Sequence, residues 1–111
     1  MSRQKNLVEL TQSFTGVTTG FNSTGINVSA CQTFSIQLDV TANSVGYGNL
    51  IVQKSNDNLS WMDEGPNIDF TVSGNLALSM INPEFKFYRI HFRVDTGNYA
   101  LSLKWLGKGM D

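Results

Sequence analysis

Apolar and polar residues alternate with a period of two along most of the chain. Residues 33–41 show the pattern most clearly, because every second side chain is apolar: Phe34, Ile36, Leu38 and Val40. This alternation is typical of a β-strand that buries one face. Residues 86–94 and 99–105 repeat it, and the residues between them are Asp, Thr, Gly and Asn, which favour a tight turn. The two segments therefore predict a C-terminal hairpin.

Further segments are short and rich in β-prone residues, namely 7–14, 25–30, 48–54, 67–72 and 75–81. Ser73 and Gly74 predict a second hairpin turn between the last two. About eight short strands without helical periodicity predict an all-β fold, a single antiparallel β-sandwich that is jelly-roll-like. We expect the sandwich at residues 7–106, with an N-terminal arm at residues 1–6 and a C-terminal tail at residues 107–111 that reach neighbouring subunits.

The composition excludes several classes of protein. The 111 residues include 8 Lys and Arg against 9 Asp and Glu, which gives a net charge of -1, and only 15% of residues are charged. Nucleic acid is an unexpected partner, because nucleic-acid modules carry a basic excess. A surface with few charges and a net charge near zero tends to associate, which favours a component of an assembly.

The reactive side chains argue against catalysis. Cys31 is the one cysteine and His91 the one histidine, so the sequence has neither an internal disulfide nor a histidine cluster for a metal. Asp63 and Glu64 are adjacent, so in an extended strand they point to opposite sides and do not flank one bond. We expect no enzymatic activity, no metal and no cofactor. We also expect no signal peptide and no membrane span, because the N-terminal apolar stretch is too short for either.

Residues 53–61 form the most distinctive local string, Gln-Lys-Ser-Asn-Asp-Asn-Leu-Ser-Trp. Asn and Asp side chains bond to their own backbone in tight turns, so the string predicts a hairpin turn followed by Trp61 at the edge of the core. A calcium loop is an alternative, but the string lacks the Gly and the distal Glu of the known calcium loop. Its oxygen ligands would come from Asn56, Asp57, Asn58, Asp63 and Glu64.

Together with three other strings, this segment resembles small β-sandwich proteins encoded among bacteriophage virion structural genes. The other strings are residues 34–38 (Phe-Ser-Ile-Gln-Leu), 87–90 (Phe-Tyr-Arg-Ile) and 97–101 (Gly-Asn-Tyr-Ala-Leu). In those proteins a strand that ends in Ser-Asn-Asp-Gly, two residues and Trp precedes a Tyr-Arg-Ile/Phe strand, and here Asn58 stands where Gly is commoner. The resemblance spans residues 26–105. It implies a virion protein, made in the host cytoplasm, of the decoration, penton, head-fibre or tail-attachment kind.

Charges are unevenly distributed along the chain. Residues 54–84 carry a net charge of -4 and residues 85–111 a net charge of +3, whereas residues 1–53 are balanced. The near-neutral total therefore conceals a polarised molecule. Such polarity suits a subunit that contacts copies of itself or other virion proteins.

The basic residues of the C-terminal segments are candidates for such a contact. Arg89, His91 and Arg93 share the outward face of one predicted strand, and Lys104 is expected beside them on the next strand of the hairpin. We expect this stripe to meet the acidic region of an identical neighbour in a head-to-tail contact. That region includes Asp57, Asp63 and Glu64. A solvated sheet face and a phosphate or nucleic-acid contact are the alternatives.

Exposed aromatic residues indicate a different function. Trp61 and Tyr47 are candidates for stacking on sugar rings, whereas Trp105 and Tyr99 share the parity of leucines and are expected in the core. The sequence thus favours a non-enzymatic bacteriophage virion structural protein that self-associates or docks on the capsid shell. The alternative is a carbohydrate- or receptor-binding β-sandwich module of a phage tail or spike.

Overall fold

In the computed structural model, which describes residues 4–42, 46–70, 74–81 and 83–110, the described chain forms nine β-strands. They are β1 (Gln4–Val17), β2 (Phe21–Asn22), β3 (Ile26–Asn27), β4 (Thr33–Ala42), β5 (Tyr47–Ser55), β6 (Met62–Phe70), β7 (Gly74–Ile81), β8 (Phe87–Thr96) and β9 (Tyr99–Met110). The longer strands overlap the segments that the sequence predicts, although β6 (Met62–Phe70) begins before its predicted segment, residues 67–72. The described residues contain no helix with the length and apolarity of a membrane span.

The strands form two antiparallel sheets. Sheet A has the order β1-β9-β4-β7, and sheet B has the order β2-β8-β5-β6, with β3 also paired to β8. Because β2 and β3 pair with successive parts of β8, they act as one interrupted strand. Counted in this way, eight strands make two four-stranded sheets, which is the arrangement of a jelly roll. The predicted fold class is confirmed.

The core lies between the two sheets and is built from their inward positions. Its largest fully buried side chains include Trp105, Tyr88, Tyr99 and Phe92. The ring of Phe34 on β4 lies 4.8 Å from the ring of Tyr88 on β8, centroid to centroid, and this contact joins the sheets. Because inward positions alternate with outward ones along each strand, the pattern that builds the core also puts polar side chains on both outer faces.

Two of the three predicted hairpins are wrong. Strands β8 and β9 belong to different sheets, and so do β6 and β7. A turn sequence specifies a reversal of the chain, but it does not specify whether the next strand pairs with the last one or crosses to the opposite sheet. Between β8 and β9 the chain turns at Gly97, which has a φ of 96° and lies so close to Gly46 that a side chain would overlap it. Glycine at both positions allows this sharp corner.

The sheet extends further towards both termini than the predicted boundaries. Gln4 pairs with Met110 and Asn6 with Lys108, so most of the predicted tail and the second half of the predicted arm belong to β1 and β9. These ends do not alternate clearly in sequence, and they form strands because each pairs with the other. Arg3 and Asp111 lie outside the described residues.

Candidate functional site

Strand β8 presents a column of basic side chains on the outer face of sheet B. Arg89, His91 and Arg93 occupy the positions between the buried residues of β8, as the sequence predicts. Strand β5 lies beside β8, and β6 lies beside β5. The residues of these neighbouring strands therefore decide which partners the basic side chains meet.

The first row across this face runs from Arg89 through Gln53 to Asp63. The Nε–H of Arg89 donates to Gln53 Oε1 at 2.8 Å, and Gln53 Nε2 donates to Asp63 Oδ1 at 3.1 Å. Trp61 covers the guanidinium of Arg89, whose carbon lies 4.2 Å from the centre of the indole ring. Partial burial lowers the pKa of Arg89. One glutamine thus links a base on β8 to an acid on β6.

The loop between β5 and β6 holds Trp61 in this position. Asp57 Oδ1 accepts hydrogen bonds from the backbone N–H groups of Leu59 and Ser60, both at 2.9 Å, and these bonds lower the pKa of Asp57. Asn58 has a φ of 60°, which Asn tolerates better than most residues. β5 and β6 are thus joined by the hairpin turn that the sequence predicts, and the carboxylate of Asp57 is used within its own loop.

A second contact fixes Trp61 from the side of sheet B. A side chain at Gly25, between β2 and β3, would come within 2.9 Å of the Trp61 ring and would also overlap Asn58. The indole therefore lies between the glycine backbone and Arg89. The sequence predicts Trp61 at the edge of the core, but the ring lies over Arg89 on the outer face of sheet B and is not among the residues that pack on the core.

The middle row contains His91 and Ile51. His91 Nδ1 lies 2.6 Å from Asn22 Oδ1 on β2, in a hydrogen bond that the ring nitrogen donates because a carbonyl oxygen only accepts. Ile51 is 9% exposed, although it is on the outward side of β5. The centre of the face is therefore apolar and is flanked by hydrogen-bonded polar groups.

The third row runs from Arg93 through Asn49 to Asp69. Tyr47 donates its hydroxyl to Asp69 Oδ1 at 2.9 Å, and this bond raises the pKa of Tyr47. Arg93 Nε lies 3.3 Å from Asp95 Oδ1 on the same strand, and 67% of the Arg93 side chain is exposed. Asp69 therefore meets a neutral partner on this face, while Arg93 extends into solvent.

Across these rows the outer face of sheet B changes its charge. The basic residues are on β8, amides and Ile51 are on β5, and Asp63 and Asp69 are on β6. Two strand spacings separate the basic and acidic columns by about 10 Å. The sequence predicts the basic column from alternation alone, but it does not reveal the contributions of Gln53 and Asp69, because these depend on the register between strands.

The structure does not bring the remaining candidates to this face. Lys104 lies on β9, on the outer face of sheet A, where its Nζ is 3.8 Å from Asp39 Oδ2, so the predicted stripe that includes Lys104 is wrong. Glu64 has the parity of the inner face of sheet B and pairs with Lys54, 2.5 Å from Nζ to Oε2. This bond raises the pKa of Lys54. Of the predicted acidic residues, Asp63 shares the face of Arg89 and Arg93.

Sheet A carries a shallow depression on its own outer face. Its volume is about 300 Å³, and its polar lining includes Glu9, Thr11, Ser35, Gln37 and Lys104. It thus offers hydrogen-bonding groups but no outward aromatic ring. The described residues form no cluster of three or more His, Cys, Asp and Glu side chains that would hold a metal ion.

No protein-family model and no curated protein matches the sequence. Solved structures match the fold. The PBSX exported protein XepA matches with a TM-score of 0.63 at 14% identity over 96% of this chain, which spans 37% of the length of XepA. The carbohydrate-binding module CBM4 matches with a TM-score of 0.54 at 11% identity over 97% of this chain and 78% of its own.

A third solved structure is the enzymatically active domain of tailspike protein 4 from bacteriophage CBA120. It matches with a TM-score of 0.53 at 10% identity over 100% of this chain, which spans 19% of that chain. At these identities the matches establish the β-sandwich fold and nothing more.

Proposed function

We propose that this protein is a non-enzymatic β-sandwich of a bacteriophage virion, and that it associates with copies of itself or docks on the shell through the outer face of sheet B. The observation that carries this proposal is that β8 and β6 present opposite charges on one outward face. Exposed charges of both signs, arranged in columns, give a surface that selects its partner by electrostatic complementarity.

The bacteriophage assignment is supported by the virion-protein resemblance of residues 26–105 and by the fold shared with a bacteriophage tailspike domain. The low charge of the chain adds to it, because surfaces of this kind tend to associate. Neither argument requires a reaction at this face.

The test is the molar mass in solution, measured by light scattering at several ionic strengths. We expect a mass above that of the monomer at low salt, with a decrease as salt screens the charges. The double variant Arg89→Glu with Arg93→Glu should be monomeric. Lys104→Glu, a reversal of the same kind on the opposite sheet, should associate as the wild type does. A wild-type protein that is monomeric at every salt concentration, alone and with isolated shells, would contradict the proposal.

A carbohydrate-binding function is the second candidate, and a specific arrangement favours it. Tyr47 is 38% exposed and lies near one end of this face, close to the amide of Asn49, and it is the ring accessible to a sugar because the Trp61 ring lies between Gly25 and Arg89. Aromatic rings stack on sugar rings, and amides form hydrogen bonds with sugar hydroxyls. CBM4 has the same fold.

A glycan array separates the two functions. Specific binding that is lost in Tyr47→Ala, but retained in the Lys104→Glu control, would support the carbohydrate-binding module. We expect no specific glycan signal from a protein that works by association alone. Thermal unfolding of each variant shows whether a loss of signal comes from the face or from unfolding.

A further inference from the structure

The outer face of sheet B is complementary to itself. In the first row Arg89 lies opposite Asp63 across β5, and in the third row Arg93 lies opposite Asp69 in the same sense. Both rows therefore run from positive on β8 to negative on β6. Ile51 lies on β5 between the two rows.

Only one orientation of a two-fold axis uses this pattern. Consider an axis that lies in the plane of the contact, over β5 and parallel to the strands. A rotation of 180° about it exchanges the two sides of β5 and leaves each residue at the same position along the strand direction. It therefore places β8 of one subunit over β6 of its partner. A two-fold axis perpendicular to the strands in the same plane would place β8 over β8, so that arginines would face arginines.

We propose that two copies of this protein form a symmetric dimer in which the outer faces of sheet B stack about a two-fold axis parallel to the strands, over β5. This inference rests on the proposed function and names its partner and symmetry. Arg93 of each subunit meets the carboxylate at position 69 of its partner, and Arg89 meets the one at position 63. The axis passes over Ile51, which is 9% exposed and so adds little contact area. Such a contact uses the same surface on both subunits and closes as a dimer, whereas the head-to-tail contact predicted from the sequence joins two different surfaces and builds rings or shells.

The charges required for the contact of Arg93 are exposed, whereas Arg89 is half-buried beneath Trp61 and bonded to Gln53, so the Arg93 contact is the stronger of the two. The described hydrogen bonds to the side chains of Asp63 and Asp69 come from neutral donors, Gln53 and Tyr47. Both aspartates are exposed, and Arg93 is 67% exposed in its side chain. An incoming subunit therefore supplies the arginine partners that neither aspartate has among the described residues.

The size of the face sets the expected strength. With the axis over β5, the three strands β8, β5 and β6 overlap, and at a spacing of about 4.8 Å and a length of about 30 Å they give about 430 Å² per subunit, or about 860 Å² in total. Stable specific interfaces begin at about 1,200 Å². The dimer should therefore be weak and reversible in solution, and it should depend on salt because its contacts are exposed charges.

The test uses two charge reversals, Arg93→Glu and Asp69→Lys. Each reversal places like charges opposite each other twice in the dimer, so each variant alone should dimerise about tenfold or more weakly than the wild type. In a one-to-one mixture, both contacts of the mixed dimer join opposite charges. We expect the mixture to recover the dimer mass by sedimentation velocity, while Lys104→Glu, as the control, changes nothing. Circular dichroism and the melting temperature show that each variant is folded.

The outcomes separate this inference from the proposed function. If the wild type associates and both reversals associate as strongly, the protein self-assembles through another surface and the two-fold contact is overturned. If the mixture forms species larger than a dimer, the contact is head to tail and the symmetry is overturned. If the wild type is monomeric at concentrations well above those of the assay and does not bind shells, the proposed function itself fails.

Discussion

Ser23 gives the sharpest test of how the candidate site is built. It lies between β2 and β3 and is 3% exposed. Its Oγ accepts the backbone N–H of Ile90 at 2.8 Å, and its own N–H donates to the carbonyl oxygen of Ile90 at 2.9 Å. A side chain thus continues the hydrogen bonding along β8 where the edge strand is interrupted. The replacement Ser23→Ala removes this acceptor, so the backbone N–H of Ile90, a fully buried residue, loses its partner.

The size of the effect follows from that unpaired group. A buried donor without a partner costs about 1–3 kcal/mol. With about 2.1 cal/mol/K of unfolding entropy per residue, a chain of 111 residues loses roughly 4 °C of melting temperature for each kcal/mol. We therefore expect Ser23→Ala to lower the melting temperature by about 4–13 °C.

Differential scanning calorimetry and urea unfolding measure this change, with Ser29→Ala as a matched control. Ser29 is exposed, and among the described residues its hydroxyl bonds to nearby Asn27, so its loss should change stability by less than about 0.5 kcal/mol. A melting temperature of Ser23→Ala within about 2 °C of the wild type would refute the argument that the hydroxyl replaces a strand partner.

Three further changes test individual contacts. Gly25→Ala should push Trp61 off its arginine and cost about 1–3 kcal/mol, and a shift in tryptophan fluorescence reports the movement. Gln12→Ala should destabilise by about 1–3 kcal/mol, because Trp105 Nε1 donates to Gln12 Oε1 at 2.9 Å and would lose its acceptor in a buried position; unchanged unfolding in urea would contradict this. The pKa of Asp57 is lowered in the fold, so its contribution to stability is present above the ordinary value of 3.8 and is lost as the pH falls through the lower folded value. Asp57→Asn should therefore lose less stability than the wild type in acid titrations below that value, and parallel curves would count against the loop bonds.

The alternation along the chain predicts the strands and their buried faces with few errors. Phe34, Ile36, Leu38 and Val40 all point into the core, and Arg89 and Arg93 point away from it. This works because the side-chain period of a strand is local and needs no information from a partner strand. The jelly-roll class follows for the same reason, since many short, half-buried strands have few ways to cover one another.

The pairing of the strands is beyond local information. Lys104 follows β8 closely in sequence, yet it lies on the opposite side of the sandwich because β9 crosses to sheet A. Asp69 faces the same way as Arg93 because β6 pairs with β5 in a register that shifts between Leu50 and Val52. A shift of one residue would turn every following side chain to the other face.

The alternation of apolar and polar residues thus establishes that this protein is an all-β sandwich. It also establishes which side chains of each strand are buried. It also shows that β8 carries a basic outward face. Only the tertiary structure decides that this face lies beside acids on β6 and beneath the ring of Trp61, while Lys104 is elsewhere. The physical reason is that burial is decided within a strand, whereas the charge pattern of a face is decided by hydrogen-bonded neighbours that are distant in the chain.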